Sequence, residues 1–172
     1  MLTSVEIHRN EAPSSVRCMI ITVSDTRTIE TDKSGSLLRE LMESSGFDIT
    51  DYRIVPDTYE QIQSVIRIGI ENPTVEAILL NGGTGIALRD TTYEAVRDIL
   101  DKEMHGFGEI FRHLSFTEDI GTAAILSRAI AGVCSNKAIF SMPGSTGAVK
   151  LAITKIIIPE LRHVMREIYK DL

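Results

Sequence analysis

Tryptophan is absent from the 172-residue chain, and only four tyrosines and five phenylalanines are present. So few aromatic side chains leave no stacking platform for nucleic-acid bases. Positive charge is also short, since 18 lysines and arginines against 24 aspartates and glutamates leave a net charge of −6. That balance argues against non-specific binding to nucleic acid or to an anionic membrane. It still allows an anionic small ligand, because a local cluster of donors overrides a distant net charge screened by salt. No apolar run approaches the ~20 residues a membrane helix needs. The stretch Met1 to Arg17 carries Glu6, Glu11 and Pro13 and no continuous apolar segment, so it is not a secretory signal. Residues 1–16 read as a polar arm, and residues 17–172 as a single domain with enough interior for a core. Only two cysteines occur, Cys18 and Cys134, each in an apolar, strand-like context. They make neither a disulfide framework nor a zinc pattern, and point to buried, reduced thiols in a cytoplasmic protein. His8, His105, His113 and His163 share no metal-binding spacing with cysteines or carboxylates.

What is present is a regular alternation. The apolar run from Arg17 to Ser24 predicts a strand buried on both faces. Leu37, Leu38, Leu41 and Met42 recur at helical spacing up to a stop at Gly46. A strand over Ile49–Val55 follows, then a helix over Thr58–Glu71, then a buried strand over Ala77–Leu80 that runs into Asn81-Gly-Gly-Thr-Gly85. Helix-like stretches follow at Thr92–Leu100, Phe107–Phe116 and Thr122–Ala129, and a strand at Lys137–Ser141. A last helix starts near Ser145 and is broken or restarted at Pro159. The order predicts an α/β fold in three layers, with a mostly parallel sheet and helices on both faces.

In such sheets ligands bind beyond the carboxyl ends of the strands. Four predicted strand ends carry polar or glycine-rich signals: Ser24-Asp25, Pro56-Asp57, Gly82-Gly83-Thr84-Gly85 and Pro143-Gly144-Ser145. Glycines allow positive φ and close approach to a ligand, and their N–H groups can cradle an anion. The loop matches neither Gly-x-Gly-x-x-Gly nor a Walker A motif, which disfavours a nicotinamide Rossmann enzyme or a P-loop NTPase. In Arg89-Asp-Thr-Thr-Tyr-Glu94, Thr91 and Glu94 have the spacing of a capping box, which would leave the Asp90 carboxylate available. Arg89 has the fork to meet a phosphate with two hydrogen bonds. Two carboxylates, Asp57 and Asp90, on one rim suit Mg²⁺ shared with phosphates. Ser145 is both a helix cap and part of a candidate anion site. Glu109 and Arg112, three apart on a helix, read from spacing alone as an exposed pair.

Together these segments resemble the MoaB/MogA family of molybdenum cofactor biosynthesis proteins. The motifs are Ser24-Asp-Thr, Val55-Pro-Asp57, Asn81-Gly-Gly-Thr-Gly85, Arg89-Asp-Thr-Thr-Tyr-Glu-Ala95, Gly106-Phe-Gly-Glu-Ile-Phe-Arg112, Leu126-Ser-Arg-Ala129 and Met142-Pro-Gly-Ser145. The short length resembles MoaB more than a gephyrin-type fusion. The resemblance implies a molybdopterin-binding domain assembled as homotrimers or homohexamers, with other cofactor-biosynthesis enzymes as candidate partners. It also implies adenylylation of molybdopterin, with Mg²⁺ and with ATP as co-substrate. It assigns catalysis and Mg²⁺ to Asp57 and Asp90. It assigns substrate binding to Ser24, Asp25, the Gly82–Gly85 loop, Arg89, Glu109, Arg112, Ser127, Arg128 and the Pro143-Gly144-Ser145 turn. Tyr93 departs from the pattern, standing where many relatives have proline. Two rival readings are a non-catalytic molybdopterin carrier or scaffold, and a nucleotide-binding regulatory domain.

Overall fold

The computed structural model describes residue 3 and residues 12–172. Residues 1, 2 and 4–11, most of the predicted arm and with it His8, lie outside the described residues. The end of the arm is attached to the domain. The Ser15 hydroxyl donates to Asp48, Arg162 donates to the Ser14 carbonyl at 3.1 Å, and Val16 is fully buried.

Six strands form one sheet in the order β2-β1-β3-β6-β5-β4. Strands β1 (Arg17–Val23), β2 (Asp48–Val55), β3 (Ala77–Asn81) and β6 (Lys137–Met142) are mutually parallel. Strands β5 (Ile130–Cys134) and β4 (Lys102–Glu103) extend the sheet antiparallel. The central strands are apolar on both faces because helices cover both. Cys18, Ile20, Leu79 and Phe140 point to one side, against α1 (Lys33–Ser44), α4 (His105–Glu118), α5 (Thr146–Ala152) and α6 (Ile158–Tyr169). Met19, Ile21, Ile78, Leu80 and Ile139 point to the other, against α2 (Tyr59–Glu71) and α3 (Thr92–Arg97). Both cysteines are buried free thiols, and burial pushes Cys18 up to about 12.

One predicted element differs. Residues Thr122–Ala129 are not a regular helix. Gly121–Leu126 is a 3₁₀ turn, Ser127 is extended, and the chain then enters β5. The segment is short, and Ile125 is 82 % exposed, so no apolar face holds a longer helix. The β5–β6 hairpin turns on Ser135 and Asn136, both with positive φ, which is the geometry that matches the twist of paired strands. The last helix is restarted at Pro159, one of the two outcomes expected there, with the proline in the first turn of α6. A π turn over Ile153–Ile157, with Ile158 N–H bonded to Ile153, connects α5 to α6. The wider turn lets the chain stay helical while a residue without an N–H begins the next segment.

Candidate active site on the carboxyl rim

Because β1, β2, β3 and β6 are parallel, their carboxyl ends open on the same rim, and all four predicted loops meet there. The glycine loop makes the closest contacts. Gly82 has φ +105, and a Cβ on it would sit 2.3 Å from the Val23 carbonyl oxygen. Gly83 has φ +64, and its Cβ would fall 2.1 Å from Thr92 Oγ1 and 2.8 Å from an Asp57 carboxylate oxygen. Only glycine fits both the backbone angle and the space. Gly144 packs on Gly82, and Ser145 caps α5 through Ala148 N–H at 3.2 Å, as its position at the helix start suggested.

Asp25 and Asp57 are joined beside this loop, and Asp90 is held within its own turn. Asp25 accepts the Asp57 backbone N–H at 3.1 Å and pairs with Arg89 at 2.6 Å. The Thr91 hydroxyl donates to Asp57 at 3.5 Å, and the Asp90 carboxylate accepts the Ala87 N–H at 2.8 Å. Burial pushes the Asp57 carboxyl above the usual carboxylate range, hydrogen bonds from Thr91 pull it back, and the charges of Asp90 and Asp25 push it further up. The rim therefore crowds negative charge around Asp57.

Two hollows flank this centre. One, of about 270 Å³, is lined by Ile86, Ala87, Leu88, Asp90, Thr91, Glu94 and Arg128. The other, of about 530 Å³, is lined by residues of the β1 and β2 ends, among them Ser24, Asp25, Arg27 and Tyr52. Asp25 belongs to one hollow and Asp90 to the other, and Arg89, next to Asp90 in sequence, pairs with Asp25. A groove of about 520 Å³ at Asp101, Asn136 and His163 lies by the β5–β6 turn, at the opposite end of the sheet. Its size does not mark it as the site, because none of the rim loops reaches it.

The predicted capping box does not form. Thr91 occupies the cap position without a side-chain bond to the helix, its hydroxyl turning to Asp57 instead. Glu94 pairs with Arg128, which outweighs its partial burial and holds its carboxyl below the usual range. Arg128 also donates to the carbonyls of Gly85 at 2.7 Å and Asp90 at 2.6 Å. The expected Glu109–Arg112 pair does not form either. Both residues line a cleft of about 100 Å³ with Tyr93 and Glu103, and Arg112 reaches the Ala129 carbonyl at 3.5 Å. Ser127 Oγ accepts the Ala129 N–H. The structure thus gathers Asp25, Asp57, the glycine loop, Arg89, Asp90 and Arg128, and places Glu109 and Arg112 in a neighbouring cleft.

Three features of the rim were not singled out from the sequence. Thr92 is fully buried against Gly83, and its hydroxyl has no hydrogen-bond partner. Asp32, capping α1 through Gly35 N–H, is buried in a network in which Tyr52 donates to it at 2.5 Å. Burial opposes its charge, but donors from Thr22, Tyr52, Gly35 and Ser34 prevail and hold Asp32 below the usual carboxylate range. Ser34 and Thr22 in turn fix both ends of the Asn81 amide, one residue before the glycine loop. The Asp-x-Ser-Gly spacing at a helix start is a cap signal that could have revealed Asp32.

Residues 19–163 match the family described as "Probable molybdopterin binding domain". The chain belongs to this family. A protein of Halalkalibacterium halodurans named molybdenum cofactor biosynthesis protein B is 73% identical over 168 residues, covering 98% of this chain and 99% of that protein. A crystal structure of molybdenum cofactor biosynthesis protein B superposes with a TM-score of 0.90 at 55% identity, covering 92% of this chain and 99% of that one. The tungsten cofactor synthesizing protein MoaB of Pyrococcus furiosus superposes with a TM-score of 0.81 at 35% identity, over 91% and 98% of the two chains. The six-stranded, mostly parallel sheet is the MoaB/MogA molybdopterin-binding fold, and the role of this member lies in molybdenum cofactor biosynthesis. Among the described residues, no helix is long and apolar enough to cross a membrane.

Proposed function

We propose that this rim binds molybdopterin and Mg-ATP in its two hollows and transfers the adenylyl group to the pterin. The observation that carries the reading is the convergence of the rim's charged residues on the glycine loop between the hollows. Asp25 joins Asp57 and Arg89, the sequence neighbour of Asp90, beside a glycine loop whose geometry only glycine permits. The terminal phosphate oxygen of molybdopterin forms a bond to the α-phosphorus of ATP, and the bond from that phosphorus to the β-phosphate oxygen breaks, releasing pyrophosphate. A phosphate monoester has its second pKa near ~6, so the nucleophile is already ionised at neutral pH and needs no general base. What it needs is alignment and neutralisation of crowded charge.

This chain's residues divide that work. Arg89 spends one donor on Asp25, and the rest of its largely exposed guanidinium is placed to meet a phosphate. The Gly82 N–H is taken by the Met142 carbonyl at 3.1 Å, and the amides of Gly83, Thr84 and Gly85 that follow it suit an anion. Asp57 and Asp90 fit Mg²⁺ by donor chemistry. Among the described residues no cluster of three or more histidines, cysteines or carboxylates could hold a metal, so phosphate oxygens would complete its shell. When bound there, Mg²⁺ would screen the polyphosphate from the carboxylates that crowd Asp57. A homotrimer or homohexamer fits the exposed apolar side chains Ile110, Phe116, Ile120, Ile125 and Leu126 on α4 and the following turn. Sedimentation of the purified protein tests that assembly.

The decisive experiment incubates the protein with molybdopterin, ATP and Mg²⁺ and follows pyrophosphate. Asp90→Asn is expected to keep molybdopterin binding and to lose most turnover. Turnover equal to the wild type would remove Asp90 from catalysis. Tight molybdopterin binding without any pyrophosphate would instead favour the carrier reading.

A further inference from the structure

The segment Gly85–Asp90 carries Arg89 and Asp90 out over the rim, and little of the fold lies beneath it. Ile86 is 68 % exposed and Leu88 is 99 % exposed, so burial of apolar side chains does not hold the segment in place. Polar ties do that. Inside the segment, the Asp90 N–H donates to the Ala87 carbonyl at 2.9 Å, and the Asp90 carboxylate accepts the Ala87 N–H at 2.8 Å. These close the turn on itself but do not fix it to the domain.

Two side-chain ties join it to the domain: the exposed Arg89–Asp25 ion pair at 2.6 Å and, gripping both of its ends, Arg128. Its Nε donates to the Gly85 carbonyl at 2.7 Å and one terminal nitrogen donates to the Asp90 carbonyl at 2.6 Å. One guanidinium thus grips both ends of the segment. Its other terminal nitrogen pairs with Glu94 on α3, and its plane lies over the Tyr93 ring at 5.2 Å. Its backbone N–H bonds the Thr84 carbonyl at 3.3 Å. Each nitrogen of the side chain donates to one protein acceptor, three of its five N–H groups in all, in a fork geometry a lysine ammonium cannot copy.

We infer that Arg128 is a positioning residue that clamps the Gly85–Asp90 segment and so sets Asp90 and Arg89, rather than a ligand for substrate phosphate. This rests on the reading of the rim as the reaction site, but the clamp itself is testable without turnover. A phosphate taking the three donors already engaged would have to displace two backbone carbonyls and the Glu94 carboxylate, releasing the segment that carries the catalytic carboxylate.

The test uses the full-length protein with Arg128→Lys and Arg128→Ala, read in three ways. Amide hydrogen exchange over residues 85–90 is expected to speed up in both variants, while the β1 and β3 amides keep their protection. Molybdopterin affinity, measured with the pterin alone, is expected to stay within about twofold of wild type. The rate constant kcat for pyrophosphate release is expected to fall by roughly tenfold or more with KM for ATP little changed, as a misplaced catalytic group requires. Added guanidinium is expected to restore part of the Arg128→Ala rate. A phosphate ligand behaves differently: lysine would largely preserve function, alanine would weaken substrate binding, and exchange at 85–90 would stay as in wild type. That pattern would overturn the inference. If the wild type itself releases no pyrophosphate, the adenylylation reading fails. The exchange and pterin-affinity data then still decide the clamp.

Discussion

Replacing Gly83 with alanine strains the site in two ways at once. The residue has φ +64, and a side chain in the left-handed region costs about 1–2 kcal/mol. The new methyl would also stand 2.1 Å from Thr92 Oγ1 and 2.8 and 3.1 Å from the two Asp57 carboxylate oxygens. Thr92 is fully buried at the start of α3 and cannot swing aside without moving that helix. Overpacking of this kind costs about 1–3 kcal/mol more. Gly121 supplies the control, since it has φ +62 but nothing within 4 Å of its Cβ position. Gly121→Ala should show the backbone cost alone, about 1–2 kcal/mol, and Gly83→Ala the sum, about 2–5 kcal/mol. Urea unfolding of both variants measures the difference, and molybdopterin affinity should suffer only in Gly83→Ala. Equal destabilisation of the two, within about 0.5 kcal/mol, would show that the loop, Thr92 and Asp57 are not packed as described.

Other perturbations follow from the same contacts. Tyr52→Phe deprives the buried Asp32 carboxylate of a donor and should destabilise the protein by about 1–3 kcal/mol. Because Asp32 is held below the usual carboxylate range, its contribution is present above that range and lost as pH falls through its depressed pKa, so the mutant's deficit should shrink at low pH in acid-unfolding curves. Asp57 has the opposite sign. Its raised pKa means the folded state keeps a proton the unfolded chain has lost, so stability falls as pH rises from the ordinary carboxylate range through the raised value. Asp57→Asn should therefore raise Tm at neutral pH while abolishing turnover; a lower Tm at pH 7 would contradict the crowding of charge around it. Arg89→Ala removes an exposed ion pair and should change stability by only about 0.5 kcal/mol or less, yet weaken ATP binding in calorimetry.

The parts of the fold legible in the sequence are those where periodicity and burial coincide. β1 and β3 are continuous apolar runs because both faces are covered, and α1 and α2 carry apolar stripes that match their buried faces. The rim was legible because parallel strands put their carboxyl ends together whatever the loops contain. The antiparallel extension was not. β4 is two exposed residues, and β5 follows a segment whose composition suits a helix but whose side chains find no face to bury. Within the site, local spacing suggested a capping box and an intrahelical Glu109–Arg112 pair. Long-range partners won in both cases: Asp57 takes the Thr91 hydroxyl, Arg128 takes Glu94, and the Ala129 carbonyl takes Arg112. Those partners lie at least 17 residues away in sequence, beyond the reach of any local rule.

One labelling experiment bears most directly on the chemistry of the rim. ATP labelled at its α-phosphorus is mixed with molybdopterin, Mg²⁺ and excess protein, and the products are separated after a single turnover. The label is expected to move onto the pterin, one for each unlabelled pyrophosphate released, and to stay in ATP when Asp57→Asn replaces the wild type. Label that remains in ATP with the wild-type protein, while molybdopterin is bound, would contradict adenylyl transfer at this site.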